Sequence, residues 1–288
     1  MKGRPTIEKA AGTGFCFGVR RALRRLEAVA AEHGGVESLG PVVHNRQVQR
    51  GLEARGVRVA GSEDDIHGTV VVIGAHGISP AVERELADRG IEIIDTTCPF
   101  VRRAQRVAAR LARAGFTVVV YGDAGHREVK GILGWARGRG LATLDAATVA
   151  AIAPPPRYLG VLAQTTQVPA AFTAFARDIV GAVLGKDSEL RVIDTICHDI
   201  RRRQGAALAL ARRVDLMLVV GDPASANTNR LAELCSSVVA TRFIETAADV
   251  QPGWLNGVGS IGVAGGASTA EETIDGVIAR LRAITGQS

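Results

Sequence analysis

The 288-residue chain predicts an α/β fold of three lobes related by a pseudo-threefold axis, a trefoil arrangement. Two observations predict it. Helical apolar patterns alternate along the chain with short β-branched runs, the signature of layered α/β architecture. One structural unit also recurs three times, each copy opened by a cysteine: Cys16, Cys98 and Cys197. Twenty-four residues after each Cys stand Gly40, Gly122 and Gly221, and twenty-eight after it stand His44, His126 and Ser225. The second and third copies share wording: Asp95-Thr96-Thr97-Cys98 against Asp194-Thr195-Ile196-Cys197, and Tyr121-Gly122-Asp123 against Val220-Gly221-Asp222.

Each copy reads strand, Cys, helix, strand, polar residue, helix, strand, polar residue. The strand before the Cys is Ile91-Glu92-Ile93-Ile94-Asp95 in the second copy and Val192-Ile193-Asp194 in the third, with a weaker Thr6-Ile7-Glu8-Lys9-Ala10 in the first. The helix after Cys16 carries apolar residues at Val19, Leu23, Leu26 and Ala30, and the one after Cys98 at Val101, Ala104, Ala108 and Leu111. That is helical spacing; the counterpart after Cys197 is Ala-rich. Strands follow at 36–39, 117–121 and 216–220, and closing strands at 69–73, 158–162 and 260–264. The closing strands lead to His76, to Thr165-Thr166 and to Ser268-Thr269. Ligands gather at the carboxyl ends of strands in open parallel sheets, so each copy should offer polar groups to one shared centre. Boundaries near the cysteines give lobes 1–97, 98–196 and 197–288, packed as one body because no tether or charge block separates them.

Composition narrows the function. At 47% apolar the chain can bury a substantial core, and the net charge of +6 raises nucleic acid as a partner. The arginines are scattered along helices without aromatic interleaving, which argues against nucleic acid. The first residues lack an apolar signal core, and no run of about 18 apolar residues exists to span a membrane. A cytoplasmic protein with no membrane partner is expected, and there four Cys are ligands or nucleophiles rather than disulfides. Arg20-Arg21, Arg102-Arg103 and Arg201-Arg202 hold the same places after each Cys. They read either as a solvated helix face or as a basic collar that docks an acidic electron donor.

The thiols carry the strongest signal. Cys16, Cys98 and Cys197 fall at strand-to-helix junctions, where a helix N-terminus favours the ligating thiolate. Taken singly each reads as a buried structural Cys, but in repeat register they point to a soft metal or cluster. Spacings of 82 and 99 residues exclude the close Cys pairs of zinc ribbons and knuckles. Cys235 has no counterpart and reads as core, so a 4Fe–4S cluster would keep one open iron, able to bind substrate as a Lewis acid. His44, His76 and His126 lie in or beside the repeat register and read as donors to a diphosphate rather than as metal ligands. Ser225, Asn227, Thr228, Ser268 and Thr269 are helix N-caps or, alternatively, phosphate donors at two helix starts; Ser268 with Glu271 fits a capping box. Glu128, in a helix start, is either a first-turn acid favoured by the helix dipole or the proton source, with Thr165 or Thr166 as relay.

The ordered segments Gly14-Phe15-Cys16-Phe17-Gly18-Val19, Val43-His44-Asn45, Ala75-His76-Gly77, Thr97-Cys98-Pro99, Gly125-His126-Arg127-Glu128-Val129, Gln164-Thr165-Thr166, Thr195-Ile196-Cys197 and Ser225-Ala226-Asn227 span nearly the whole chain. Together they resemble the 4-hydroxy-3-methylbut-2-enyl diphosphate reductase (LytB) family, whose enzymes complete the methylerythritol phosphate route to isoprenoids. The resemblance implies three lobes around a central 4Fe–4S cluster held by Cys16, Cys98 and Cys197. It implies a two-electron removal of an allylic hydroxyl bound at the open iron, with electrons from ferredoxin or flavodoxin. Glu128, Thr165 and His126 would serve catalysis, while His44, His76, His126, Thr165, Ser225, Asn227, Thr228 and Ser268 would hold the allylic diphosphate. The expected products are isopentenyl and dimethylallyl diphosphate.

The chain departs from the family pattern at Ala226, usually Ser, and at Arg127, usually Pro. It departs again at Ala11-Gly12-Thr13, which lacks the usual Pro-Arg, and at Asp199-Ile200, usually Ala-Thr. These changes leave two other readings: a paralogue acting on another allylic or alkynyl diphosphate, or a non-catalytic, cluster-bearing redox sensor. A zinc hydrolase is a further, weaker reading.

Overall fold

The computed structural model describes residues 4–183 and 188–287. In chain order the elements are β1 (Thr6–Lys9), α1 (Phe17–His33), β2 (Val36–Leu39), α2 (Arg46–Glu53), β3 (Val57–Ala60), β4 (Val70–Ile73), α3 (Pro80–Asp88), β5 (Glu92–Asp95) and α4 (Pro99–Arg113). Then come β6 (Thr117–Tyr121), α5 (Arg127–Gly134), β7 (Gly140–Thr143), α6 (Ala146–Ala150), β8 (Tyr158–Ala163), α7 (Pro169–Val183) and β9 (Glu189–Ile193). The chain continues through α8 (His198–Ala211), β10 (Leu216–Val220), α9 (Ala226–Ser236), β11 (Thr241–Ile244), β12 (Ser260–Gly265) and α10 (Glu271–Thr285).

The strands form three parallel four-stranded sheets, in the orders β3-β2-β4-β5, β7-β6-β8-β9 and β11-β10-β12-β1. The predicted α/β class is the one observed, and three separate sheets are consistent with the three expected lobes. One pairing differs from simple repetition, because β1 joins β12. Each strand that leads to a Cys is therefore an edge strand on the sheet of the preceding copy, and the chain's first strand completes the last sheet. The described chain divides into two compact units. One draws on Met1–Arg20, Val43–Val48 and His198–Ser288 and holds the β11-β10-β12-β1 sheet; the other draws on Arg21–Val42 and Gln49–Cys197 and holds the other two.

Sequence explains which strands sit where. The central strands β4, β6, β8, β10 and β12 are near-continuous apolar runs, as burial on both faces requires. In the second sheet Val118 and Val120 face Leu111, Val129 and Ile132, while Val119 and Tyr121 face Phe172, Phe175 and Ile179. The third sheet repeats this alternation, with Met217 and Val219 packed under Leu231 and Cys235, and Leu218 and Val220 under Ile274 and Val277. The predicted helix faces are inward: Leu26, Ala104, Ala108 and Leu111 are all essentially inaccessible. The fourth strand of each sheet (β3, β7 or β11) was not anticipated. Each is only four residues long and carries mixed polarity, as an edge position permits.

Every sheet reverses its winding between its two central strands, at β2/β4, β6/β8 and β10/β12. Such a switch point opens a crevice at the carboxyl ends of the strands. The paired strands end level, with Leu39 opposite Ile73, Tyr121 opposite Ala163 and Val220 opposite Gly265. Six of the eight predicted substrate residues lie two to five residues beyond these strand ends, and Asn227 and Thr228 lie in the first turn of α9. Among the described residues no helix is long and apolar enough to cross a membrane.

Candidate active site

Each of the three cysteines is the residue immediately before a helix, α1, α4 or α8. Each backbone amide is tied in the same way to the residue two beyond a closing strand. Cys16 N–H donates to Ala267 O at 2.9 Å, Cys98 N–H to Ala75 O at 3.0 Å and Cys197 N–H to Thr165 O at 3.0 Å. The thiols are thereby coupled, through one peptide or less, to Ser268, His76 and Thr165. All four cysteines are reduced thiols, but Cys235 lies wholly inside the core, where burial pushes its thiol up to about 11. Cys98 and Cys197 in one compact unit and Cys16 in the other are each a partly exposed thiol at a helix start, and thiolates are the donors that an iron–sulfur cluster takes.

The shared wording before two of the thiols has a physical cause. Asp95 accepts from the Thr97 amide at 2.8 Å, and Asp194 accepts from the Ile196 amide at 3.0 Å. The Thr96 hydroxyl donates to Ile73 O and that of Thr195 to Ala163 O, each at the end of a closing strand. Asp-Thr-x-Cys is thus a turn that ties the edge strand to its neighbour just before the thiol. The Cys16 loop is longer and differently built. Gly14 takes φ +77°, and a Cβ there would lie 2.6 Å from Glu271 Oε2. Glu271 accepts from the Thr13 hydroxyl at 3.1 Å and pairs with Lys9; the predicted capping box with Ser268 does not form, because α10 begins at Glu271 and Ala270 stands at its N-cap position without a capping side chain. Burial raises the Cys16 thiol above its ordinary range, against the opposing Val19 amide at 3.4 Å and the Arg203 charge.

The carboxylate of Glu128 is 1% exposed and held by Thr165 at both oxygens: Oε1 accepts the Thr165 amide at 2.7 Å and Oε2 its hydroxyl at 3.0 Å. Glu128 also stands in the first turn of α5, where the helix dipole favours a carboxylate, but it is buried there rather than solvated. His126 caps α5, its Nδ1 accepting the Glu128 amide at 3.2 Å, and its ring meets that of His76 edge-on at 5.4 Å. Glu128, Thr165, His126 and His76 therefore gather within one compact unit, with Cys98 and Cys197 carried on the adjoining loops. Gly77, at φ +67°, lets the chain turn where a Cβ would lie 2.5 Å from Gln105 and 2.8 Å from Thr97. A cavity of about 390 Å³ opens beside His76 and Gly125 and is lined also by Arg127 and Lys130. Arg127, where the family pattern has Pro, donates to Gly61 O at 3.0 Å.

The other unit gathers a second group. Ser225 caps α9, accepting from the Thr228 amide at 3.3 Å and the Thr228 hydroxyl at 2.9 Å. Ser268 Oγ lies 3.4 Å from Ser225 Oγ and donates to His44 O at 3.2 Å, and Asn227 is buried beside them in the first turn of α9. Thr228 is inaccessible, with its hydroxyl spent on Ser225, so it braces that serine. Sequence reasoning left out Asn45, whose amide donates to Ser268 O at 2.9 Å while its Oδ1 accepts from Val48 N at 3.1 Å. Its place beside His44 was the one available signal. Gln164 was missed as well: its Nε2 and the Thr166 hydroxyl are buried without hydrogen-bond partners, next to Thr165.

A buried carboxylate paired to a threonine, partly exposed thiols at helix starts and a group of small hydroxyl and amide side chains thus stand on an α/β framework of three parallel sheets. The family model described as "LytB protein" matches residues 7–282, and the chain belongs to that family. A 4-hydroxy-3-methylbut-2-enyl diphosphate reductase of Dehalococcoides mccartyi strain CBDB1 is 55% identical, covering 96% of this chain and 97% of that protein. The protein of the same description from Geobacter metallireducens is 41% identical over 94% of this chain and 95% of its own length. Among solved structures, the E-1-hydroxy-2-methyl-but-2-enyl-4-diphosphate reductase from Plasmodium falciparum shares the fold, with a TM-score of 0.91 at 24% identity over 97% of this chain and 88% of that one. An (E)-4-hydroxy-3-methyl-but-2-enyl diphosphate reductase, described as the terminal enzyme of the non-mevalonate pathway, superposes with a TM-score of 0.68 at 34% identity, covering 97% and 99% of the two chains.

Proposed function

We infer that this enzyme removes the allylic hydroxyl of 4-hydroxy-3-methylbut-2-enyl diphosphate reductively, giving isopentenyl and dimethylallyl diphosphate, the last step of the methylerythritol phosphate route. The balance is two electrons and two protons in, one C–O bond broken, one C–H bond formed and one water released. The observation that carries this reading is the buried Glu128–Thr165 pair in a chain of this family, since neither a redox sensor nor a purely structural protein needs a sequestered carboxylate wired to a hydroxyl.

Cys16, Cys98 and Cys197 would hold a 4Fe–4S cluster. When bound, the cluster supplies electrons and a Lewis-acidic iron. Glu128 holds the proton, and the Thr165 hydroxyl, 3.0 Å from Glu128 Oε2, orients the leaving hydroxyl and passes the proton to it. His126 fixes the start of α5 through the Glu128 amide and, with His44 and His76, donates to the diphosphate. Ser225, Asn227 and Ser268 bind its remaining oxygens, with Thr228 holding Ser225 in place. Burial of Glu128 and of the serines excludes water from these contacts and so strengthens them. Ferredoxin or flavodoxin is the proposed electron donor, and the cytoplasm the proposed setting.

Anaerobic turnover of 4-hydroxy-3-methylbut-2-enyl diphosphate by cluster-reconstituted protein and a strong chemical reductant tests the reading. Mass spectrometry should show the two five-carbon diphosphates. Protein verified at four irons and four sulfides that yields neither product would sink it.

A further inference from the structure

Three arginines contact the thiol-bearing loops in a pattern that the functional reading above does not use. Arg21, on α1 after Cys16, donates to Thr96 O at 3.2 Å and Thr97 O at 3.1 Å, the two carbonyls before Cys98. Arg103, on α4 after Cys98, donates to Asp194 O at 3.0 Å, three residues before Cys197. Arg203, on α8 after Cys197, donates to Gly14 O at 2.8 Å, two residues before Cys16. The pattern is cyclic: the helix that starts at one thiol holds the loop that carries the next. Arg21 and Arg103 stand five residues after their cysteines and Arg203 six, so sequence register pointed to Arg202 in the third copy. Arg202 pairs instead with Asp199, while Arg203, only 6% exposed, both bonds Asp199 and reaches Gly14.

We propose that Arg21, Arg103 and Arg203 are positioning residues that fix the loops presenting Cys98, Cys197 and Cys16 to the cluster. The inference rests on the cluster assignment made above. Each loop is held by the Cys amide on a carbonyl two residues beyond a closing strand and by a guanidinium on a carbonyl just upstream of the Cys. A planar guanidinium reaches a loop carbonyl with a fixed geometry and no titration. Removing it frees the segment on one side of the thiol while leaving the helix intact. The basic pairs after each Cys therefore include loop clamps, a role that neither a solvated face nor a docking collar describes.

The test compares Arg103→Leu, Arg103→Lys and the exposed neighbour on the same helix, Arg106→Leu, with the unaltered protein. Two quantities are read: hydrogen exchange of a peptide covering 194–197 in cluster-free protein, and iron release to a chelator from anaerobically loaded protein. Loss of a charge-assisted hydrogen bond predicts exchange at 194–197 about tenfold faster or more in Arg103→Leu, with β10 (Leu216–Val220) unchanged. Iron release should also be faster, by about threefold or more, with Arg103→Lys intermediate and Arg106→Leu like the unaltered protein. Unchanged exchange at 194–197, an equal rise across β10, or unchanged iron release would each overturn the proposal. Should Arg103→Leu not fold, the Arg103→Lys comparison carries the same criteria. If the unaltered protein takes up no cluster, the functional reading fails, and the exchange comparison still decides whether Arg103 holds the loop.

Discussion

The turn from β6 into α5 and the turn from β10 into α9 share one backbone design and carry different chemistry. In both, a Gly-Asp pair follows the strand, and the Asp accepts from the amide two residues on, at 2.8 Å in each case: Asp123 from Gly125 and Asp222 from Ala224. In both, the residue 28 after the Cys caps the helix, His126 in one and Ser225 in the other. The residue 30 after the Cys is buried in each: Glu128 and Asn227. Equivalent frames thus place a carboxylate in one copy and an amide in the other. The frame sets position, and the side chain sets the chemistry available there: an acid in the one, a neutral hydrogen-bonding amide in the other.

Breaking the first frame's chemistry should have the largest effect. Glu128→Gln keeps shape and burial but cannot donate a proton, so turnover should fall by about 10²–10⁴-fold. Iron and sulfide content should match the unaltered protein; surviving activity would mean that the proton comes from elsewhere. In the second frame, Asn227→Ala removes binding rather than proton transfer. A lost hydrogen bond to a charged group, about 1.5–3 kcal/mol, predicts a KM roughly 10- to 150-fold higher with a smaller change in kcat. A fall in kcat alone would erase the distinction between the two frames.

The supporting aspartates sharpen the comparison on stability. Asp222 is held below the usual carboxylate range: burial opposes this, but the amides of Ala224 and Arg46 and the Arg46 guanidinium outweigh it. A depressed folded pKa contributes stability that is complete above the unfolded value, about pH 4, and that is lost as pH falls through the folded value. Asp222→Asn should therefore lower Tm by about 2–8 °C at pH 7, and the deficit should shrink towards pH 3. Asp123→Asn, at the exposed equivalent place, should lower Tm by less at pH 7. The smallest effect is expected from Ala226→Ser, which restores the family hydroxyl next to Ser225. One neutral hydrogen bond, about 0.5–1.5 kcal/mol, predicts a KM lower by up to about tenfold, and an unchanged KM would place residue 226 out of reach of the diphosphate.

Sequence alone determined the α/β class, the threefold repetition, the strand cores and the candidate side chains at the strand ends, because each is a local or periodic property. Apolar runs such as Val118–Val120 and Leu216–Val220 can only be buried strands, and matched offsets from each Cys need no coordinates. Asp-Thr-x-Cys was legible as a repeat, though not as the turn that ties edge strand to neighbour. Tertiary structure decided three things, each through contacts between residues far apart in the chain. β1 closes the last sheet 254 residues away, at the Thr6–Ser260 pair. Glu128 became a buried acid only when Thr165 met both its oxygens. The arginine that holds the Cys16 loop is Arg203 rather than Arg202, because helix rotation turns just one of two adjacent guanidinium groups towards Gly14. Periodicity specifies which face of an element is apolar; which distant backbone group a polar side chain reaches is settled only when the elements pack.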